Sequence, residues 1–252
     1  MIFQFSKLQS LGNDFILIDE SSQDFFFTPN QIQKLCHRHY GIGSDGLILF
    51  KKLEPSVVKM RFYNPDGSQA KMCGNGLRCL FLHTDAKVIE TDSGEYKGQV
   101  EGELVITWMK TPQFKGRHQL LIDETIVNFD WIDSGVDHIV IKAEDHEFKS
   151  PFQIAQKLRS HPYFGKEGVN VNFFSESPKF HLKTFERGVE NFTLACGTGA
   201  LACFSTLNIN KAQLFFDEDN FCDFSSKENT IAMKAFAKRV FQGTFEKELL
   251  DF

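Results

Sequence analysis

Short runs of β-branched and aromatic residues, bounded by Gly, Asp, Asn or Pro, recur along this chain and predict β-strands. The clearest runs are FILID (15–19), GLILFKK (46–52), VVKMRFYN (57–64), ELVITWM (103–109) and HIVIKA (138–143). Segments with a helical pattern are fewer. The hydrophobic pattern therefore predicts a chain in which strands outnumber helices.

Four segments carry helix signals, either a cap residue followed by proline or a dense apolar run. These segments are 28–41, 77–86, 152–161 and 200–209. The first begins at Thr28 and Pro29 and is expected to end at Gly41. The second and fourth are apolar enough to be buried. Together with the strands, they predict an α+β protein of two halves, each with many strands and one buried helix.

A cysteine-glycine element occurs twice, as KMCGNGLRC at 71–79 and as ACGTGALAC at 195–203. In each copy a cysteine, Cys73 or Cys196, is followed by Gly-X-Gly directly before one of the apolar helices. Two copies about half a chain apart indicate a duplicated architecture in which two cysteines act as a pair.

The duplication predicts two similar domains. The first is expected to comprise 1–113 joined by 234–252, and the second 114–233. The stretch TPQFKGRHQ (111–119), with its Pro, Gly and polar residues, is the expected crossover between the halves.

A cysteine at a loop-to-helix junction lies beside unpaired N–H groups and the positive end of the helix dipole, which lower a thiol pKa from about 8.5. The same N–H groups, left uncovered by the glycines, suit a carboxylate. Each element thus offers a base and a binding site for a carboxylate. If the halves face each other across a cleft, Cys73 and Cys196 would approach one carbon from opposite sides. One would remove a proton while the other delivers one, which inverts a stereocentre.

Composition and charge narrow the class of ligand. The chain has 252 residues, is 42% hydrophobic and carries a net charge of -5 with no long run of Lys or Arg. This balance argues against a general binder of nucleic acid or anionic membrane and favours a small molecule. The start lacks the pattern of a secretory signal, and no window approaches a bilayer-spanning length. We therefore expect a cytoplasmic protein whose six cysteines are reduced.

Metal binding and cofactor chemistry fit these residues less well than thiol chemistry does. The spacing from 73 to 79 and from 196 to 203 fits no common zinc motif, so no metal is expected. Cys79 and Cys203 are expected to be small core residues. A pyridoxal phosphate enzyme would need a Schiff-base lysine in a phosphate-binding context, which Lys71 lacks. No cofactor is therefore expected.

Seven stretches together resemble the diaminopimelate epimerase family. They are KLQSLGNDF, GIGSDG, FYNPDGSQAKMCGNGLRC, EGVNVNFF, FERG, LACGTGA and VFQG, and they are distributed over most of the chain. The resemblance implies two similar domains, each a curled sheet or barrel around a central helix, with the active site in the interdomain cleft. It also implies a cofactor-independent isomerase that interconverts LL- and meso-diaminopimelate for lysine and peptidoglycan synthesis.

The resemblance implies roles for individual residues. Cys73 and Cys196 match the two catalytic thiols, with His138 supporting Cys73 and Glu186 supporting Cys196. Arg187 is suited to a bidentate hold on the substrate's distal carboxylate. The remaining substrate-binding positions are Asn13, Asn64, Gly74, Asn75, Asn170, Gly197 and Thr198. Without the resemblance, such asparagines are more often turn residues and His138 a satisfied strand histidine.

Three departures from the family pattern affect polar groups around the substrate. The family's Gly-Asn-Pro-His block is Gly-Val-Asp-His here, at 135–138. Its GAGET run is GVENFT (188–193), one residue longer and with Phe192 among polar positions. Directly after GxGxD, where the family often has a glutamine, this chain has Gly46. Because a site with fewer hydrogen bonds to a distal amino-acid head discriminates less, we expect relaxed specificity that includes glutamate racemisation.

Two alternatives to a diaminopimelate epimerase stay open. One is another amino-acid racemase of the proline racemase type, and the other is a non-catalytic amino-acid-binding protein. The presence of both cysteines argues against a pure binder, which would gain nothing from oxidisable thiols. The expected partner is a small amino-acid substrate, with a homodimer left open and neither nucleic acid nor membrane expected.

Overall fold

The structure is a computed structural model that describes residues 2–21, 26–145, 148, 150–177 and 179–250. It divides into two compact units, unit 1 (Met1–Trp108 with Lys234–Phe252) and unit 2 (Met109–Met233). We retain the division into 1–113 with 234–252 and 114–233 as a proposal for the domain borders.

The described chain is dominated by strands. They are β1 (Ile2–Ser10), β2 (Asn13–Asp19), β3 (Gly46–Glu54), β4 (Val57–Tyr63), β5 (Gln69–Ala70), β6 (Val88–Thr91), β7 (Gly94–Glu101), β8 (Leu104–Lys110), β9 (Gln113–Ile122), β10 (Thr125–Asp133), β11 (Asp137–Lys142), β12 (Asn170–Ser175), β13 (His181–Glu186), β14 (Asn191–Phe192), β15 (Lys211–Phe215), β16 (Phe221–Lys227), β17 (Thr230–Phe236) and β18 (Lys238–Glu246). The α-helices are α1 (Pro29–Cys36), α2 (Gly74–Thr84), α3 (Pro151–Arg159) and α4 (Gly197–Ser205). Short 3₁₀ turns cover Ala143–Asp145, Pro162–Phe164 and Lys247–Leu250.

The five predicted strand runs coincide with β2, β3, β4, β8 and β11, and each predicted helix is present. The first helix ends earlier than predicted, at Cys36, because His37 has an extended backbone (φ -68°, ψ 123°). Gly41 instead lies so close to the end of α1 that a Cβ there would meet the Lys34 carbonyl oxygen at 1.8 Å. Glycine at 41 therefore permits a tight loop rather than ending the helix.

Most of the stretch 111–119, the expected crossover between the halves, is strand, because residues 113–122 form β9. This strand pairs antiparallel with β10, and the register shifts next to Trp131, which lies opposite Gly116. Gly116 has φ +126°, a conformation that side chains rarely adopt. The glycine and polar residues of this stretch thus belong to a bulged strand.

The two units repeat one order of pairings. In unit 1, β2 runs parallel to β3 with α1 between them, β3 pairs antiparallel with β4, and β4 runs parallel to β6. In unit 2, β11 runs parallel to β12 with α3 between them, β12 pairs antiparallel with β13, and β13 runs parallel to β15. A two-residue strand, β5 or β14, precedes each Cys-Gly-X-Gly element. The duplication inferred from two short motifs therefore extends to the strand topology.

Each unit has a helix at the centre of its core. Helix α2 packs against β1, β2, β7 and β18, and α4 packs against β11, β12, β13 and β15. Leu77, Leu80 and Phe81 of α2 are fully buried, and Leu201 and Phe204 of α4 are nearly so. Because burial of a large apolar side chain is worth about 1.5–3 kcal/mol, these contacts hold the first turn of each helix in a fixed place.

Candidate active site

Cys73 is the N-cap residue of α2. Its backbone is extended (φ -137°, ψ 121°), and its Sγ accepts a hydrogen bond from the Gly76 N–H at 3.5 Å. A Cβ on Gly76 would lie 3.0 Å from Ile48 Cδ1, so glycine lets the first turn approach β3 closely. The Cys73 side chain is half-buried.

Cys196 occupies the same position at the start of α4. Its Sγ accepts from the Gly199 N–H at 3.4 Å, and its backbone is again extended (φ -114°, ψ 111°). A Cβ on Gly199 would lie 2.4 Å from Asn172 Oδ1, so no other residue fits there without displacing that amide. Cys196 is buried.

The expectation of a lowered thiol pKa is wrong for Cys196. Burial raises the pKa of this thiol well above its usual value, and the negative charge of Glu186 raises it further. Hydrogen bonds from Thr198 and from the Gly199 N–H act in the opposite direction but do not compensate. In this state Cys196 is therefore a neutral thiol, an acid rather than a base.

Glu186 is the direct partner of Cys196. The carboxylate accepts hydrogen bonds from the Cys196 thiol and from the Thr193 hydroxyl. Burial nevertheless raises the pKa of the Glu186 carboxyl above its usual value. The Glu186 carboxyl and the Cys196 thiol are thus in direct hydrogen-bond contact, and burial favours the neutral form of each.

His138 is fully buried on β11, and both ring nitrogens have partners. Asn172 donates from Nδ2 to the Ile139 carbonyl (2.9 Å) and to His138 Nδ1 (3.0 Å), while its Oδ1 accepts from Thr184. Because the amide orientation of Asn172 is thereby fixed, His138 Nδ1 is an acceptor and the proton resides on Nε2. His138 Nε2 then donates to Thr198 Oγ1 at 3.0 Å.

This histidine extends a hydrogen-bond chain to Cys196. The Thr198 hydroxyl, which accepts from His138, lies 3.5 Å from Cys196 Sγ and can donate to it. Burial lowers the pKa of His138 to about 3, so the ring is neutral at pH 7. The predicted support of Cys73 by His138 stays a prediction.

Of the candidate asparagines of unit 1, Asn75 lies in the first turn of α2 and Asn13 contacts it. Asn75 Nδ2 donates to Asn13 Oδ1 at 3.4 Å, and Asn13 Nδ2 donates to Asp45 at 3.0 Å. Asn64 lies in the turn after β4, where its Nδ2 donates to Ser68 Oγ at 3.0 Å. Gly74 and Asn75 are the first residues of α2, where the leading N–H groups of a helix have no acceptor within the helix itself.

The candidates of unit 2 surround the first turn of α4 and the end of β13. Asn170 Oδ1 accepts from the backbone N–H of Arg187 at 2.8 Å. The Arg187 guanidinium pairs with Glu167 at 3.2 Å, but the Glu167 side chain is 85% exposed. Because such surface pairs are weak, Glu167 holds the Arg187 guanidinium only loosely. Gly197 and Thr198 begin α4 in the way that Gly74 and Asn75 begin α2.

The structure accounts for two of the three departures from the family pattern. Phe192 packs edge-on against Phe185 (ring centroids 5.7 Å apart) and joins the apolar cluster of unit 2. The longer loop turns back at Glu190, whose φ is 55°, so the extra residue leaves Thr193 in contact with Glu186. At Gly46 a Cβ would lie 2.5 Å from the Phe62 ring, which excludes a glutamine.

At the third departure, Val136-Asp137, the aspartate forms an ion pair. The Asp137 carboxylate binds Lys115 (2.5 Å) and Trp131 Nε1 (3.0 Å). These contacts engage the carboxylate with groups of its own unit rather than leaving it for a ligand.

Two further residues belong to the site of unit 2 and were not predicted. Asn172 orients His138, and Thr193 donates to Glu186. Asn172 could have been found from its spacing, because residues two apart on a strand share a face and Asn170 was already a candidate. Thr193 carried no signal, since its contact depends on how β14 pairs with β13.

The described residues contain no group of three or more His, Cys, Asp or Glu side chains arranged to hold a metal ion. Within the same part of the chain, no helix has the length and apolar character needed to span a membrane.

Comparison with solved structures defines the class of fold. A phenazine biosynthesis PhzF-family protein from Enterococcus faecalis superposes with a TM-score of 0.71 and 14% identity over 98% of this chain and 100% of its own. A hydroxyproline epimerase from Agrobacterium vitis gives a TM-score of 0.69 and 12% identity over 100% of this chain and 95% of its own. These matches confirm the predicted fold class, α+β with two similar domains.

Sequence comparison identifies the family. The family model for diaminopimelate epimerase matches residues 5–115 and 131–236. The diaminopimelate epimerase of Aquifex aeolicus is 32% identical over 99% of this chain and 100% of its own length. That of Methanothrix thermoacetophila is 37% identical over 79% of this chain and 78% of its own. The chain therefore belongs to the diaminopimelate epimerase family of isomerases.

We predict that burial of neutral His138 makes stability pH-dependent. Because its folded pKa (about 3) lies below the unfolded value of 6.5, its stabilising contribution is present above pH 6.5 and is lost as pH falls towards 3. The destabilisation caused by His138→Gln should therefore shrink by about 2 kcal/mol between pH 6.5 and 4.5. Urea denaturation measures it, with the half-buried His181→Gln in unit 2 as control; a constant difference would contradict the prediction.

We also predict that Glu186 suppresses thiolate formation at Cys196. Glu186→Gln removes a negative charge and an acceptor of the thiol proton, both of which raise the pKa of Cys196. Alkylation of Cys196 by iodoacetamide at pH 8 should become about tenfold faster, as for a fall of one pKa unit. Peptide mass spectrometry gives the rate, and Glu190→Gln, in the same loop, should match the wild type. Equal rates in both variants would refute the assignment.

Proposed function

We propose that this protein interconverts LL- and meso-diaminopimelate with two thiols and no bound cofactor. The observation that carries this proposal is the duplicated helix cap, with Sγ–N distances of 3.5 Å at Cys73 and 3.4 Å at Cys196. Each cap places a sulfur among N–H groups that stabilise negative charge. Inversion of a carbon needs two such thiols, because one proton leaves one face and another arrives at the opposite face.

In the proposed reaction, Cys73 begins as the thiolate and Cys196 as the thiol. Cys73 takes the α-proton, and the electron pair of the C–H bond moves into the carboxylate to form an enediolate. The N–H groups at the starts of α2 and α4 stabilise the added negative charge. Cys196 then protonates the carbon from the other face, which leaves Cys73 as the thiol and Cys196 as the thiolate. The reverse reaction uses the opposite protonation states.

The protonation state of Cys196 supports this assignment. Burial and the Glu186 charge keep it protonated before the reaction, so it is ready to act as the acid. Glu186 accepts the thiol proton in a hydrogen bond, which favours the protonated state of Cys196. Acid–base groups whose environments differ in this way are typical of proton-transfer sites.

Arg187 favours a substrate with a second carboxylate. Its side chain is one-third exposed, and its ion pair is with the largely exposed Glu167. A planar guanidinium binds a carboxylate through two parallel hydrogen bonds, which fits the distal end of diaminopimelate. Proline offers no such group, so a racemase of the proline type is the less favoured alternative despite the shared fold.

We expect the Cys73→Ala and Cys196→Ala variants each to lose at least about 10²-fold in kcat on LL-diaminopimelate, because each lacks one acid–base group. The assay follows deuterium incorporation at the α-carbon in deuterium oxide together with formation of the meso isomer. Cys203→Ala, which removes a thiol from the core of unit 2, is the matched control and should retain turnover.

Turnover unchanged in either of the two site variants would reject the two-thiol mechanism. Binding of diaminopimelate without turnover by the wild type would favour the amino-acid-binding protein.

We further propose that L-glutamate is racemised more slowly, by about 10²-fold. Val136 and Gly46 stand where the family carries polar side chains, so fewer buried groups are left unpaired by a substrate without the distal amine. Glutamate retains a carboxylate for Arg187, whereas the control L-norleucine does not. If incubation in deuterium oxide yields no α-deuteration and no D-glutamate, this proposal is refuted.

A further inference from the structure

Arg78 is a fully buried arginine on α2, five residues after Cys73, with 0% exposure. A buried cation is stable only when its N–H groups are hydrogen-bonded. Arg78 Nε donates to Ser10 Oγ at 2.9 Å, and an Nη donates to Asn75 Oδ1. The Ser10 hydroxyl in turn donates to the Phe236 carbonyl at 2.7 Å. The guanidinium is thus fixed from one side by the backbone of β17 and faces a candidate substrate-binding residue on the other.

The Arg78 contact determines the orientation of Asn75. A guanidinium has donors and no acceptor, so it must face the amide oxygen and not the amide nitrogen. Asn75 Nδ2 is consequently directed elsewhere, and it lies 3.4 Å from Asn13 Oδ1. The oxygen of Asn13 therefore faces Asn75, and its nitrogen faces Asp45.

Asp45 fixes the other end of this series. Its carboxylate accepts from Asn13 Nδ2 at 3.0 Å and from the Asp14 N–H at 3.1 Å. Arg38 holds the second carboxylate oxygen at 2.6 Å. An acceptor-only group at this end requires the nitrogen of Asn13, in agreement with the requirement of Arg78 at the opposite end.

We propose that Arg78 is a positioning residue that sets the amide orientation of Asn75 and Asn13 through a hydrogen-bond series running from Arg78 to Asp45. Every donor in the series points the same way, from the cation to the carboxylate. The substrate then meets two amide groups whose oxygen and nitrogen atoms have fixed positions. The inference rests on the proposed function, because Asn13 and Asn75 are proposed to bind the substrate.

A purely structural role for Arg78 makes a different prediction. If Arg78 only satisfied the core, its loss would lower stability and leave the KM of the folded fraction unchanged. If it orients two substrate-binding amides, the KM for LL-diaminopimelate rises in protein that is folded, and kcat falls less than KM rises, since the amides hold the substrate before and during reaction.

The test compares Arg78→Gln and Arg78→Lys with Arg61→Gln. Arg78→Gln should raise KM about tenfold or more, the effect of one lost hydrogen bond to a charged group. Arg78→Lys can still donate to Asn75 but lacks the planar guanidinium with its several donors. Its KM should lie between those of Arg78→Gln and the wild type. Arg61 is the matched control, because it is a half-buried arginine of unit 1 that pairs with Glu20 and lies outside the series. Its KM should match the wild type.

A second variant and a substrate-free measurement complete the test. Asp45→Ala, at the partly exposed end of the series, should also raise KM, and it does not remove a side chain from the core. In ¹⁵N-labelled protein, the side-chain amide resonances of Asn13 and Asn75 should shift in Arg78→Gln and stay in place in Arg61→Gln.

The proposal is overturned if KM and these resonances are unchanged in Arg78→Gln, or if Arg61→Gln raises KM equally. Should Arg78→Gln fail to fold, a wild-type KM in Asp45→Ala overturns it. If the wild type has no epimerase activity, the proposed function fails instead, while the amide resonances still decide whether Arg78 orients the asparagines.

Discussion

A sulfur atom capping the first turn of a buried helix is the constraint on which this structure depends. At both Cys73 and Cys196 the sulfur takes the place of the oxygen that usually caps a helix, and it accepts from the N–H three residues later. That third residue is glycine in both copies: a Cβ at Gly199 would lie 2.4 Å from Asn172 Oδ1, and a Cβ at Gly76 would press on Ile48 of β3 at 3.0 Å. The thiol, the glycine and the neighbouring strand are therefore positioned together, and the repeated strand order produces the arrangement twice.

The two caps have the same geometry but different surroundings. Cys196 is buried beside a carboxylate and at the end of a hydrogen-bond chain from neutral His138. Cys73 is half-buried, and the residues after it lead to asparagines and to Arg78. Duplication thus supplied two equivalent positions whose neighbouring side chains differ, so that burial and the Glu186 charge raise the pKa of the Cys196 thiol.

Family motifs could be altered here without disturbing the thiols because the changes are absorbed by packing. Phe192 enters an apolar cluster with Phe185, and the turn at Glu190 takes up the additional residue. Gly46 is matched to the Phe62 ring, which fills the space of a longer side chain. Both changes are accommodated by side-chain packing, and both helix caps retain their hydrogen bonds.

The sequence alone determined the strand runs, the four helices, the twofold Cys-Gly-X-Gly element and the family, because these depend on neighbouring residues and local spacing. Only the tertiary structure decided that 113–122 is a strand, since Gly116 lies at a bulge that is stabilised by pairing with the next strand, β10. It also reversed the expected direction of the Cys196 pKa, because burial and a carboxylate ten residues away outweigh the helix dipole. The orientation of His138 and of the asparagines was likewise invisible in sequence, as each amide and ring nitrogen is assigned by partners that only the fold brings within hydrogen-bond distance.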